Sequence, residues 1–414
     1  MRRVVCLAAV SLLPALVGCG SSSENPDGGG GPDGGLTRAF TPPFTPSTAE
    51  IPKSIRVTFS GETFGVDGLP YPSSFTSCDD LTDPYFVDGW SVFLDEYLVV
   101  IDNIRLNATA GNVDQTNVGA AVATSTGGPW VLDMHKPQGF VGKDGTEPAG
   151  ALYLFTQTGN GGQFDPSVKY AFSYDVAQAK SGTVNVNLTD AQVTSDFQTM
   201  VTKGYSKFVR GRAVFAGTPG FSGNATADSK FRAIPTTIYW VFGWDDHGSA
   251  INCINPDFGL DDTDPAARGI QVSPTGAVVA QVTLHVDHLF WDKLRIEGTP
   301  LRFDPVAVWF NSGNSASNPL DLATLGKPLN TTFADGTALP DRAPQQPTAA
   351  CVPASDQPNP AQVVLDPAGV PASAVTNLAD FLAFSAQSQM HLNADGICFI
   401  TGQQTPFYAP GLPK

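Results

Sequence analysis

The stretch WSVFLDEYLVVIDNIRL, residues 90–106, places Trp90, Val92, Leu94, Leu98, Val100, Ile104 and Leu106 on one parity. Successive side chains of an extended chain point to opposite faces, so this periodicity reads as a long or bent central strand. Outward from it, IRVTF at residues 55–59 alternates in the same way. Further strand candidates are 130–135, 151–156, 168–176, 183–188, 205–215, 231–244, 278–288 and 306–310. Turn sequences rich in Gly, Pro, Asn and Asp separate them, among them Thr158-Gly159-Asn160-Gly161-Gly162 and Gly217-Thr218-Pro219-Gly220. Many strands joined by polar turns argue for an all-β fold, an antiparallel β-sandwich or a partly open barrel.

Two short peripheral helices interrupt the pattern. Thr189 is placed to cap residues 190–203, with Gly204 as the terminating residue, and Thr376 or Ser373 to start a stretch through Leu378, Phe381, Leu382 and Phe384 to Met390. Residues 335–371 hold prolines at 340, 344, 347, 353, 358, 360, 367 and 371, which predicts an extended surface loop rather than a strand.

Composition narrows the class further. With 42 Gly, 34 Pro, only 4 Met and 15% charged residues in 414, the chain is poor in long-helix formers, which excludes coiled coils and helical bundles. A net charge of -16 repels a phosphate backbone, so no nucleic acid is expected as partner. Hydrophobic residues make up 42%, with 26 Phe, enough to build a packed core.

The first residues carry an address. Arg2 and Arg3 precede an apolar run, residues 4–17, that is too short to span a bilayer as a helix, the layout of a secretory signal peptide. The run ends in Leu16-Val17-Gly18-Cys19, which resembles the lipobox of bacterial lipoproteins processed by signal peptidase II. The resemblance implies that Cys19 becomes the lipidated first residue, carrying enough acyl chains for stable anchoring. Gly20 stands where enteric relatives place the aspartate that retains lipoproteins at the inner membrane, so the outer membrane is the expected location. Residues 20–35, GSSSENPDGGGGPDGG, read as a flexible leash with a root-mean-square reach of about 20–25 Å. A stiffer Pro/Thr stretch, 41–52, continues it. The expected organisation is a signal peptide at 1–18, lipidated cysteine and tether at 19–50, a β-sandwich body at 51–311, and a proline-rich loop with C-terminal helix and strand at 312–414.

Beyond Cys6 and Cys19, an exported chain retains Cys78, Cys253, Cys351 and Cys398, which suggests two disulfides with three possible connectivities. The preferred pairing is Cys351 with Cys398, pinning the proline-rich loop, and Cys78 with Cys253.

Only five histidines occur, so their company is informative. Asp133 and His135 are two apart, as are His285 and Asp287, and at strand spacing each pair projects from one face. On neighbouring strands these four would converge into a set suited to a divalent metal such as zinc or copper. His288 could join only if the strand ended or twisted there, and His391 is a further candidate. The structural alternative is that these side chains simply satisfy hydrogen bonds at strand ends. Asp257, Asp261, Asp262 and Asp264 offer oxygen ligands that could hold calcium, without the spacing of a helix–loop–helix calcium loop. Ile238, Trp240, Phe242 and Trp244 share one strand face and read as core rather than as a sugar platform. GxSxG, HExxH, Walker A and a strand-linked GxGxxG are all absent, so no catalytic residue is assigned.

Residues 88–106 and QVTLHVDHLFWDKL, residues 281–294, resemble segments of uncharacterised glycine-tethered envelope lipoproteins of Gram-negative soil bacteria, whose region after the HxxH is richer in acidic residues than 301–325 here. The resemblance implies an envelope protein and brings no established activity. The expected function is a non-catalytic binding or scaffold module held at the membrane by its lipid, with a protein or glycan partner. The alternatives are a hydrolase of extracellular glycans using unassigned acids, and a purely structural surface protein.

Overall fold

The computed structural model describes residues 40–71, 86–111, 116–143, 145–217, 225–294, 301–327, 329, 331–342, 363–367, 370 and 373–401. In chain order the strands are β1 (Ser54–Ser60), β2 (Trp90–Asn107), β3 (Ala121–Thr124), β4 (Trp130–Asp133), β5 (Gly139–Val141), β6 (Pro148–Phe155), β7 (Lys169–Val176), β8 (Val184–Asn185), β9 (Lys207–Phe215), β10 (Thr237–Trp244), β11 (Gly248–Ile251), β12 (Ile270–Gln271), β13 (Ala277–Leu284), β14 (Leu320–Asp321), β15 (Met390–Leu392), β16 (Gly396–Ile397) and β17 (Phe399–Thr401). The α-helices are α1 (Glu62–Asp67), α2 (Ala191–Lys203), α3 (Ala225–Phe231), α4 (Asp304–Ala307) and α5 (Leu378–Ser385).

The strands form two sheets, as an all-β sandwich requires. The smaller runs β16-β15-β13-β1-β6-β5; the larger, open and curled, runs β14-β10-β9-β2-β7-β11-β17, with β3, β4, β8 and β12 paired off that path. Pairing is mainly antiparallel, but β1 lies parallel to β13, as do β10 to β14 and β4 to β8. The C-terminal strands are not laid on a finished body: β15 extends the small sheet beside β13 and β17 extends the large one beside β11.

β2 explains how one strand serves both the core and an outer helix. Its pairing with β9 shifts register between Leu94 and Glu96, and its pairing with β7 shifts between Asp102 and Arg105. Each bulge adds a residue and inverts the parity. The main core therefore takes Trp90, Val92 and Leu94, then Tyr97, Val99 and Ile101, then Ile104 and Leu106. Leu98 and Val100, expected on the same face as Trp90, point the other way into a second cluster with Val193, Phe197 and Met200 of α2. Asn103 sits at the second bulge with φ of 48°, in the left-handed region that asparagine tolerates.

α2 is capped by Asp190, one residue later than expected, whose carboxylate accepts from the Val193 amide at 2.9 Å; Gly204 ends it with φ of 70°. α5 is capped by Asn377, not Thr376 or Ser373, through a 2.9 Å bond from the Asp380 amide. Two strand expectations are corrected. Residues 306–310 leave a short helix, because Pro305 fits the first turn of α4 and offers no amide to a ladder. Residues 231–236 are the end of α3 and a turn before Pro235, so the strand starts only at Thr237. The face of β10 carrying Ile238, Trp240, Phe242 and Trp244 is buried, as read from the sequence.

The Pro/Thr stretch joins the body earlier than its composition suggested. Phe44 is buried against Phe140, ring centroids 5.3 Å apart, and the Thr48 carbonyl accepts from Arg56 at 2.7 Å. The disulfide expectation is corrected as well: Cys253 bonds Cys398, which ties the loop after β11 to the turn entering β17, two segments already paired through Ile251 and Phe399. Cys78 and Cys351 lie outside the described residues, as does Cys19.

Candidate functional site

β13 ends at Leu284, and the chain turns at His285 into a 3-10 turn, Val286–Phe290. That change of direction is why parity fails here: His288 rejoins His285 although a continued strand would have sent it to the other face. Opposite, α5 runs into a second 3-10 turn, Ala386–Gln389, and then into β15, which carries His391. The His285 amide donates to the Gln389 carbonyl at 3.0 Å and Ser385 Oγ donates to the His288 carbonyl, locking the two turns together.

Three imidazoles meet at this junction. His285 stacks on His391 at 4.2 Å between centroids with planes 12° apart, and His288 stands edge-on to His391 at 5.2 Å and to His285 at 5.3 Å. Each of the three offers a ring nitrogen within 4.8 Å of the others. A second group, Glu62, His285 and Asp395, satisfies the same distance on the solvent side and shares His285.

Hydrogen bonds fix the tautomers. His391 Nε2 is 3.0 Å from the Ser388 carbonyl, which can only accept, so Nε2 carries the hydrogen. Ser388 Oγ donates its single hydrogen to the Ser385 carbonyl at 2.7 Å, so it must accept from His288 Nδ1 at 2.8 Å. Burial holds His288 and His391 well below the usual histidine range, with the neighbouring imidazoles adding to it, so both rings are neutral at pH 7. Their remaining nitrogens, His288 Nε2 and His391 Nδ1, are bare lone pairs. His391 Nδ1 is buried without a hydrogen bond among the described residues.

His285 differs in charge. Its Nε2 lies 3.0 Å from Glu62 Oε2 and 3.2 Å from the Ala394 carbonyl. Burial opposes its protonation, but Glu62, Asp287 and Asp395 together outweigh that and push it up to about 10. Backbone strain accompanies these contacts: Glu62 has φ of 57°, and Asn393 and Ala394, which turn β15 into β16, have 52° and 70°.

Behind the histidines the polar chain continues inward. Lys207, fully buried, reaches the Ala386 carbonyl at 2.8 Å, Gln389 Oε1 at 3.2 Å and Asp246 at 2.7 Å. Tyr97 donates to the same Gln389 oxygen at 3.1 Å, and Tyr174 to the His391 carbonyl at 3.0 Å.

The quartet expected from the sequence does not assemble. β4 belongs to the large sheet and β13 to the small one, so Asp133 and His135 are not on a strand neighbouring His285 and Asp287. Asp133 Oδ1 instead accepts from the Tyr97 and His135 amides at 3.2 and 3.0 Å, and His135 Nδ1 donates to the Gly65 carbonyl at 2.8 Å. The short helix α1 lies between the halves, touching His135 through Gly65 and His285 through Glu62. Asp287 stays beside His285; burial raises its carboxyl above the usual range, with His285 opposing. His288 and His391, secondary in the sequence reading, are the residues brought together.

The acidic loop is spoken for as well. Asp257 pairs with Lys143 at 2.6 Å, Asp261 accepts from the Thr263 amide at 2.8 Å, and Asp264 caps the turn at Ala266 at 2.8 Å. The carboxyls of Glu96 and Asp196 face one another beneath α2, where Arg210 grips Asp196 at 2.8 Å through two nitrogens. A hollow of about 120 Å³ between Trp90, Phe215, Phe231 and Arg342 holds a cation already neutralised, since Arg342 Nε donates to Asp304 at 2.7 Å. Sequence reasoning gave no sign of Glu62, Ser388, Lys207 or Gln389, each of which acts through contacts far away in the chain. The chain matches no family model, no curated protein and no solved structure.

Proposed function

We propose that the chain is an exported lipoprotein anchored to the outer membrane through Cys19, whose β-sandwich acts as a non-catalytic binding module with the histidine junction as its ligand-holding centre. The observation that carries the binding half is the histidine junction itself: ring nitrogens of three residues converge, each ring oriented by a fixed acceptor, inside a packed interior rather than in an open cleft. The anchoring half draws its support from the sequence, where the short apolar run ending in Cys19 is followed by a glycine-rich leash. A divalent metal, zinc or copper before calcium, is the ligand this nitrogen-rich set favours.

Expression of the full chain in a Gram-negative host with labelled palmitate tests the anchor. The expected result is label in the protein and recovery with outer membranes, both abolished by Cys19→Ala. Unlabelled wild-type protein, or a Cys19→Ala variant that stays with the membrane, would overturn it.

A further inference from the structure

We propose that His285, His288 and His391 take a single divalent transition-metal ion of the zinc or copper class, through His285 Nδ1, His288 Nε2 and His391 Nδ1. This rests on the binding-module reading, which it deepens by naming the ligating atoms and a single ion, and is independent of the lipid anchor.

The strongest ground is the consistency of the three rings. Each has one nitrogen bonded to a fixed acceptor: His285 Nε2 to Glu62 and the Ala394 carbonyl, His288 Nδ1 to Ser388 Oγ, and His391 Nε2 to the Ser388 carbonyl. Among the described residues the other nitrogen of His391 makes no hydrogen bond. Metal-bound imidazoles show this pattern, because an acceptor on the far nitrogen fixes tautomer and ring orientation and makes the ligating nitrogen more basic. For a purely structural cluster the pattern is costly, since a buried polar atom left without a partner forfeits its hydration, and His391 Nδ1 is such an atom.

The electrostatics agree. Glu62, Asp287 and Asp395 surround His285 with negative charge, which favours any cation at that point. The nearby ammonium of Lys207 is offset by Asp246 at 2.7 Å. Ligand type selects the ion: imidazole nitrogens suit zinc or copper, whereas calcium and magnesium require oxygen, and binding at His285 releases to solvent the proton that its acidic neighbours hold there. The rings of His285 and His391 lie nearly parallel, their planes 12° apart, so coordination of one ion by both turns one ring about χ2, a broad torsion, at some cost to the hydrogen bond on its far nitrogen. Three nitrogens leave a fourth tetrahedral position for water or a carboxylate, and Glu62 and the exposed Asp395 are the acids grouped with His285.

The test is equilibrium dialysis of the full-length protein in detergent against zinc, with bound metal counted by mass spectrometry, followed by cobalt substitution read as visible absorption. One zinc per chain and a tetrahedral cobalt spectrum are expected. His285→Asn, with folding checked by circular dichroism, should abolish both. Glu62→Gln should keep one site but weaken it about 10–100-fold, the usual effect of removing a partner that orients a ligand. Folded wild-type protein that takes up no ion overturns the inference and leaves the palmitate result standing. Stoichiometric zinc retained at full affinity by His285→Asn, with circular dichroism unchanged, overturns it equally by placing the ion elsewhere. If His391→Asn fails to fold, the His285 and Glu62 variants still decide.

Discussion

Replacing Glu96 with glutamine should make the protein more stable, by an amount that grows with pH. Glu96 is buried beneath α2; burial first, then the facing Asp196 and nearby Asp133, push its carboxyl from 4.5 up to about 10 against the pull of Arg210. In the folded protein at neutral pH it is therefore protonated, with its O–H directed at Asp196, whereas in the unfolded chain it is ionised. A group whose folded pKa lies above its unfolded value contributes stability that is full below 4.5 and is lost as pH rises towards 10. At about 1.4 kcal/mol per pH unit, holding the proton costs roughly 3 kcal/mol at pH 7 and under about 1 kcal/mol at pH 5. Glutamine keeps the shape and can donate to Asp196 in the same way, but never has to take up a proton. Urea unfolding of both proteins at pH 5 and pH 7, with the disulfide intact, reads the difference directly. A Glu96→Gln variant less stable at pH 7, or displaced equally at the two pH values, would falsify the assignment of a neutral Glu96.

Three further outcomes follow from the packing. Lys207→Met should destabilise by about 3–5 kcal/mol, because it strands the buried Asp246 charge, and adding Asp246→Leu should recover most of that; denaturant midpoints of the two variants check it. Phe197→Ala should cost about 3–5 kcal/mol and speed amide exchange in α2 ahead of β2, since Phe197 is fully buried in the smaller cluster; unchanged exchange in α2 counts against that packing. Peptide mapping without reductant should recover Cys253 joined to Cys398, and removing both should cost about 3–5 kcal/mol for a closed loop of this length; recovery of Cys351 with Cys398 refutes the pairing.

How much of this was legible in the sequence depends on the range of the interaction. Alternation located most strands because it is written in consecutive residues, and β1, β7 and β9 fall within two residues of where it placed them. For β2 the length was legible but the facing was not, because a bulge is set by the partner strand, and Glu96 and Asn103 give no local mark of one. The site was half legible. Scarce histidines drew attention to His285, His288 and His391, but the pairing with Asp133 and His135 assumed that two strands were neighbours, a fact of topology that no local spacing encodes. Glu62 follows a strand as an ordinary acidic residue and gains its role only because α1 folds back between the two sheets. The Cys253–Cys398 pairing was hidden for the same reason, since it depends on β11 lying beside β17.

The partnership of β1 with β13 joins Ser54 to Ala277 and Ser60 to Thr283 in parallel register, and each sheet then takes a strand from the last residues described. Loops of that size must close before any of the pairing is rewarded, which makes folding slow and late. The small sheet is incomplete until Ile397 and the large one until Thr401, so a chain that has not yet presented these residues has neither sheet whole to resist extension. Both sheets thus wait on one late segment, and truncating β15 to β17 should leave the chain in an open, protease-sensitive condition.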